Sequence, residues 1–274
     1  MSEPQVHSSF YRFVALADPA AVAARLRERV AGLGGNILVA AEGLSGAVAG
    51  PAATLHAFER ALQQDPVFGG AFAGLDFKHS ACTTPPFSLV KVHLKPEIVA
   101  FGVPGVSGLP APGRPDSHVA PQRWRELLDD PDVLVLDNRN SFEFRLGRFR
   151  GAVDPQVTHF RDFPAYVQAH AADWQRAGRK IAMYCTGGIR CEKTAAWMQD
   201  QGLEVYQLEG GILNYFRALP EAARTDWQGE CFVFDKRIAI DAALQETATT
   251  AEQVYAEEPP WRLARARRLD PADS

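Results

Sequence analysis

The sequence predicts an α+β unit with an antiparallel sheet, followed by an α/β unit with a parallel sheet. Three observations carry this. Up to residue 102, apolar residues recur at strand and helix spacing in the order β-α-β-β-α-β. Between residues 118 and 225, strands and helices alternate, which calls for a parallel sheet. Between them, residues 103–115 are rich in Pro and Gly and carry no period, so they read as a linker. The boundaries are then 8–102, 103–117, 118–225, and a C-terminal extension and tail over 226–274.

In the first unit, residues 10–16 suit a strand. Asp18-Pro19 starts a helix, with Asp as N-cap and Pro at N1. Residues 20–33 carry Val22, Leu26, Val30 and Leu33 at helical spacing, and Gly34-Gly35 is read as the stop. Residues 36–41 form a strand, and residues 43–50 a turn with a returning strand. Residues 51–64 form a second helix with Leu55, Phe58 and Leu62 on one face. Residues 75–81 and 87–95 are strands. Two helices on one face of a four- or five-stranded antiparallel sheet is the ferredoxin-like (acylphosphatase-like) arrangement.

In the second unit, residues 121–129 are helical and residues 133–137 form a buried strand. A helix spans most of 160–177, starting near Asp162. Residues 180–184 form a strand that runs into Cys185. A helix is expected to open at Cys191, with Ala195, Ala196 and Met198 at helical spacing. Residues 205–208 are the last strand, followed by a short helix over 212–219. Residues 235–240 are read as one more strand. The basic run containing Arg262, Arg265, Arg267 and Arg268 is read as a solvated tail in preference to a surface helix.

Composition narrows the function classes. The chain is 46% hydrophobic and 23% charged, as expected of a globular protein, and no apolar run reaches membrane-spanning length. The first residues are polar and lack a signal-peptide layout, so a cytoplasmic protein with reduced thiols is expected. A net charge of −4 argues against a general nucleic-acid coat but allows a local basic face. There is no Rossmann fingerprint, no P-loop and no Cys-x-x-Cys. The seven histidines are scattered, so no metal site is expected and no cofactor is evident.

The chemistry concentrates at Cys185-Thr186-Gly187-Gly188-Ile189-Arg190-Cys191. A cysteine after a strand, in a glycine turn that enters a helix, meets inward N–H groups, the helix dipole and the Arg190 cation. Cys185 is therefore a nucleophile or a sulfur carrier. Arg190 is five positions on, giving Cys-x4-Arg, a ring better sized for a terminal sulfur or small oxyanion than for a phosphate ester. Asp137, Arg139 and Glu143 either support the site electrostatically or pin the strand-to-helix turn as a buried ion pair, the second being favoured. Cys191 either attacks an oxidised or persulfidated Cys185 or packs in the first helical turn. Lys78, His79, Lys91, His93 and Lys95 fall on strands taken to be neighbours, and a basic sheet face there either holds RNA phosphates or is simply solvated. Arg161 is a further RNA candidate.

Several segments together resemble a known family. Leu134-Val135-Leu136-Asp137-Asn138-Arg139, Gly147-Arg148-Phe149-Arg150-Gly151-Ala152, the Cys185 loop and Leu208-Glu209-Gly210-Gly211-Ile212 are similar to a rhodanese domain. Adding Ala41-Glu42-Gly43-Leu44-Ser45-Gly46, Phe77-Lys78-His79-Ser80, Lys91-Val92-His93-Leu94-Lys95-Pro96 and Gly229-Glu230-Cys231-Phe232-Val233-Phe234-Asp235, the chain resembles the bacterial tRNA uridine(34) hydroxylase (TrhO) family over roughly residues 8–240. The resemblance implies a rhodanese domain after the ferredoxin-like one, and C5 hydroxylation of the wobble uridine to 5-hydroxyuridine. It also implies molecular oxygen as co-substrate, tRNA as partner and Cys185 as the active-site cysteine. Two departures stand out: no cysteine follows Cys231, and Arg148 stands where simple rhodaneses commonly carry His. The alternatives are a sulfurtransferase, with a persulfide on Cys185 and a sulfur-donor protein as partner, and a non-catalytic adaptor. The oligomeric state is left open.

Overall fold

The computed structural model describes residues 5–83 and 85–267. The chain forms two compact units. The first comprises the residues up to Ile98 with Phe234–Ile238 and those from Gln245 onward; the second comprises Val99–Val233 and Ala239–Leu244.

The first unit contains β1 (Gln5–Phe13), α1 (Pro19–Arg29), β2 (Gly34–Ala40), β3 (Gly43–Pro51), α2 (Ala52–Gln64), β4 (Lys78–Cys82) and β5 (Val90–Leu94). The sheet order is β4-β1-β3-β2-β5. The Asp18 carboxylate accepts from the Ala21 amide at 2.9 Å, and Pro19 sits in the first turn, so α1 starts as expected. It stops earlier, at Arg29. Gly34 and Gly35 belong to β2 rather than to the helix end. Gly35 adopts φ 150°, where a Cβ would meet Ala47 O at 2.3 Å across the sheet, so close strand approach is what requires glycine there. Leu55, Phe58 and Leu62 of α2 pack with Val22 and Leu26 of α1 on Phe10, Ile37, Val39, Leu44 and Val48 of the sheet.

Two expectations about this sheet are corrected. It is mixed: β5 pairs parallel to β2, while the other three pairings are antiparallel. In addition, β4 and β5 occupy opposite edges. The parallel pairing follows from the edge placement. β4 ends at the same end of the sheet at which β2 begins, and the short connection crosses that end, so β5 must run with β2.

The 234–238 segment is held in this unit by buried charge. Arg237 grips Asp235 through Nε (2.8 Å) and Nη2 (2.7 Å), and its Nη1 donates to Ser80 Oγ at 2.7 Å. The Glu246 carboxylate accepts from the Thr83 amide and hydroxyl at 2.8 and 2.7 Å. The basic run is helical rather than a solvated tail, because Arg262 buries its stem and pairs with Glu258 at 2.9 Å. Arg268 lies outside the described residues.

The second unit contains β6 (His118–Val119), α3 (Pro121–Asp129), β7 (Val133–Asp137), α4 (Ser141–Leu146), β8 (Gly147–Phe149), α5 (Phe163–Arg176), β9 (Lys180–Tyr184), α6 (Ile189–Asp200), β10 (Val205–Leu208), α7 (Gly211–Ala218), α8 (Pro220–Asp226), β11 (Trp227–Gly229), β12 (Cys231–Phe232) and β13 (Ala239–Ile240). Its main sheet, β6-β10-β9-β7, is wholly parallel. Alternate residues divide between two cores. Val135, Ala182, Tyr184 and Leu208 pack with Trp124, Ile212 and Tyr215; Leu136, Ile181, Met183 and Val205 pack with Phe163, Val167 and Met198. Val103 and Val106, within the Pro/Gly-rich stretch, pack against the second of these. Of the strand expected over 235–240, only Ala239–Ile240 pairs, with β12. Two short helices, α9 (Ala251–Val254) and α10 (Pro260–Arg267), follow in the first unit.

Candidate active site

Ligand sites in open parallel sheets lie beyond the carboxyl ends of strands, and β7 and β9 end side by side there. The Asn138 amide donates to Tyr184 O at 2.9 Å, joining the end of β7 to the residue before Cys185. After Cys185 the chain turns through Gly188 (φ 101°) into α6, which opens at Ile189, two residues earlier than expected. That shift places Arg190 and Cys191 in the first helical turn. Gly188 N–H donates to Cys185 Sγ at 3.2 Å.

Cys185 is 1% exposed. Burial alone would raise its thiol pKa. The Cys191 hydrogen bond, the Arg190 charge and the backbone N–H groups of Cys191 and Arg190 outweigh it and bring the value down to about 5. Cys191 moves the opposite way, well above the ordinary thiol range, through burial and the neighbouring thiolate. One proton is thus shared unequally: Cys191 keeps it and donates toward Cys185. Burial also raises Cys82 to about 11 and Cys231 to about 12. Among the four cysteines, all buried and free, Cys185 is therefore expected to alkylate with iodoacetamide at a rate flat from neutral pH down to pH 6. The rate should fall through a midpoint near pH 5 as the thiolate takes up its proton. A midpoint in the ordinary thiol range, read by peptide mass spectrometry, would contradict this.

The outer side of the loop is held by α7. Ile212 N–H donates to Cys185 O at 3.0 Å and Leu213 N–H to Thr186 O at 3.1 Å. Gly211, at φ 67°, sits against these carbonyls, and a Cβ there would lie 2.4 Å from Cys185 O and 2.7 Å from Thr186 O. Thr186, Gly187 and Ile189 are partly exposed and form the open side of the loop, and nothing stands within 4 Å of a Cβ built on Gly187.

The supporting residues separate into two sets. Arg139 and Asp137, both fully buried, form a closed pair with contacts of 2.6–3.2 Å. Arg139 also donates to Gly147 O at 2.6 Å and lies 5.5 and 5.3 Å from the Tyr184 and Trp227 rings. This pair pins the strand-to-helix turn. Glu143 instead faces the loop: its two oxygens accept from Arg190 Nη1 and Nη2, each at 2.8 Å, and Oε2 also accepts from the Asn140 amide at 3.1 Å. Burial pushes the Glu143 pKa up, but the Arg190 charge and hydrogen bonds outweigh it and hold the group below its ordinary value. Glu143 thereby orients the cation that acts on Cys185.

Sequence reasoning missed three contributors. Asn138 Nδ2 donates to Thr194 Oγ1 at 2.9 Å and approaches Cys191 Sγ at 3.9 Å; Thr194 Oγ1 donates to Arg190 O at 2.8 Å. Lys193 is fully buried, with Nζ 3.3 Å from Val99 O. The available signal was position: polar residues at the end of β7 and on the apolar face of α6.

The RNA candidates do not form one face. Lys91 and Lys95 are exposed and His93 is half-buried on the β5 edge. Lys78, on the opposite edge, is buried beside Asp76 (3.2 Å) and over the Tyr11 ring (5.4 Å). Arg161 is exposed on the turn preceding α5. Arg148 lies over the Phe144 ring at 5.0 Å.

Comparison with known proteins places both units. Residues 6–98 match the UPF0176 acylphosphatase-like domain and residues 120–218 the rhodanese-like domain. A tRNA uridine(34) hydroxylase of Synechococcus elongatus is 49% identical over 86% of this chain and 86% of its own length. One from a Jannaschia species is 44% identical over 88% and 77%, and one from Deinococcus radiodurans 42% over 98% and 85%. With both domains in order and identity of this extent over most of each chain, the protein belongs to the tRNA uridine(34) hydroxylase family.

Proposed function

We infer that this chain is a tRNA uridine(34) hydroxylase, an oxidoreductase that places a hydroxyl on C5 of the wobble uridine with molecular oxygen as co-substrate. The observation that carries the reading is Cys185 in the turn that enters α6, its sulfur accepting from the Gly188 amide at 3.2 Å, in a chain related to these enzymes over both units. Uracil is electron-poor at C6. A thiolate adds there: the S–C6 bond forms, and the C5–C6 π pair moves to C5 and the C4 carbonyl oxygen. C5 becomes electron-rich and takes one oxygen atom of O2, the other leaving as water with two protons and two electrons from an external two-electron donor. After hydroxylation, loss of the C5 proton and departure of the thiolate from C6 restore the ring, and the Gly188, Arg190 and Cys191 donors receive the sulfur again.

The anticodon loop offers its bases unpaired, so uridine 34 can be presented without the cost of breaking a base pair. It approaches Cys185 from the Thr186–Gly187 side of the loop. Lys91, Lys95 and Arg161 are assigned to tRNA phosphates; Lys78, buried and paired, is not. Among the described residues no helix is long and apolar enough to cross a membrane, and the site of action is assigned to the cytoplasm, where tRNA is modified. The test is nucleoside mass spectrometry of tRNA from a strain lacking this gene, with and without the wild-type chain restored. Nucleosides derived from 5-hydroxyuridine should vanish and return. Their persistence in the deletion strain, with loss of a thiolated nucleoside instead, would assign Cys185 to persulfide transfer from a sulfur-donor protein.

A further inference from the structure

The histidines look scattered in the sequence, yet the first unit gathers two of them around a carboxylate. His56 and Glu59 stand three apart on α2 and so share one helix face. His79 comes to the same place from β4. One possible ligand atom from each of the three residues lies within 4.8 Å of the others. His79 Nε2 is 2.7 Å from Glu59 Oε1, and the two imidazole rings meet edge-on with centroids 5.8 Å apart. Both histidines are exposed, whereas Glu59 is 6% exposed.

Glu59 is also held from behind. Ser8 Oγ, on the fully buried Ser8 of β1, donates to Glu59 Oε1 at 2.6 Å. A buried hydroxyl that fixes a carboxylate beneath two exposed imidazoles is the support that metal-binding carboxylates use. Metal–ligand bonds of about 2.0–2.2 Å would set the three atoms roughly 3–3.5 Å apart. Small rotations of the exposed rings achieve that, and the His79–Glu59 contact is then replaced by two bonds to the ion.

We propose that His56, Glu59 and His79 bind one divalent first-row transition-metal ion. Two imidazoles and a carboxylate suit zinc or ferrous iron and are a poor match for magnesium or calcium, which take oxygen ligands. Three protein ligands leave coordination positions for water. Because β4 is an edge strand, paired on one side only by β1, the ion would also fasten α2 to that edge.

The test uses the full chain stripped with chelator. Zinc chloride is titrated by calorimetry, and cobalt chloride by visible absorption. The expected result is one ion per chain with cobalt d–d bands and no thiolate charge-transfer band, which keeps the four cysteines out of the account. His56→Ala and His79→Gln alter exposed side chains, so both variants should fold. Each should weaken zinc binding at least about tenfold and abolish the zinc-dependent rise in melting temperature. Unchanged affinity in the double variant, a cobalt–thiolate band, or binding no tighter than about 1 mM in the wild type would overturn the proposal.

Discussion

Cys185→Ser is expected to leave uridine 34 unmodified in a chain that still folds. The Cys191 thiol, the Arg190 cation and the backbone N–H groups of Cys191 and Arg190 stabilise an anion at this position. Their combined effect brings a thiol from the ordinary range to about 5. A serine hydroxyl starts so much higher that the same donors leave it protonated at neutral pH, so the nucleophile is lost although the shape remains. Single-turnover hydroxylation of the tRNA anticodon arm should fall by at least about 10³-fold. The oxygen still accepts from Gly188 and occupies nearly the same volume, so the melting temperature should stay within a few degrees of wild type. Hydroxylation at the wild-type rate would remove Cys185 from the chemistry. A collapse in melting temperature would show the cysteine to be a packing element.

Glu143→Ala should bring a large loss of stability. Arg190 is nearly buried and spends both terminal nitrogens on the Glu143 carboxylate. Burial works to lower the Arg190 pKa, and the Glu143 charge more than restores it. Without Glu143 the buried guanidinium loses its hydrogen-bonded counter-ion and keeps only the Cys185 thiolate as opposite charge, and removing one partner of such a pair costs about 3–5 kcal/mol. Urea unfolding followed by tryptophan fluorescence reads this directly. The freed Arg190 charge should also act more fully on Cys185, shifting its alkylation midpoint below that of wild type. The double change Glu143→Leu with Arg190→Met separates the two effects. It should recover most of the stability, because no buried carboxylate or guanidinium is left unpaired. It should also raise the Cys185 midpoint, because the cation is gone. A single variant as stable as wild type, or a midpoint unmoved in the double variant, would mean that this pair neither supports the fold nor tunes the sulfur.

Much of the second unit was legible because its signals are local. Val133–Asp137, Lys180–Tyr184 and Val205–Leu208 are short apolar runs bounded by turn residues, and they are strands as read. Asp18-Pro19 marked the start of α1 because a cap involves only residues three apart. Cys185 stood out because strand, glycines and arginine are consecutive. The misreadings occurred where distant residues decide. The Gly34-Gly35 pair resembles a helix stop, but contact with Ala47 and Val48 places it inside a strand. Arg262 resembles part of a solvated tail, but burial and Glu258 hold it in a helix.

By itself the sequence determined the main helices and strands, the α+β character of the first part and the α/β character of the second, and the cysteine loop with its helix. Spacing, caps and turn residues act over a few positions, so they can be read one segment at a time. Only the tertiary structure decided that β5 runs parallel at the edge opposite β4, that Lys78 is buried, that Glu143 serves Arg190 while Asp137 and Arg139 pair with each other, and that His56, Glu59 and His79 meet. Each of these depends on which residues far apart in the chain become neighbours, and pairing and burial settle that only once the whole unit has closed.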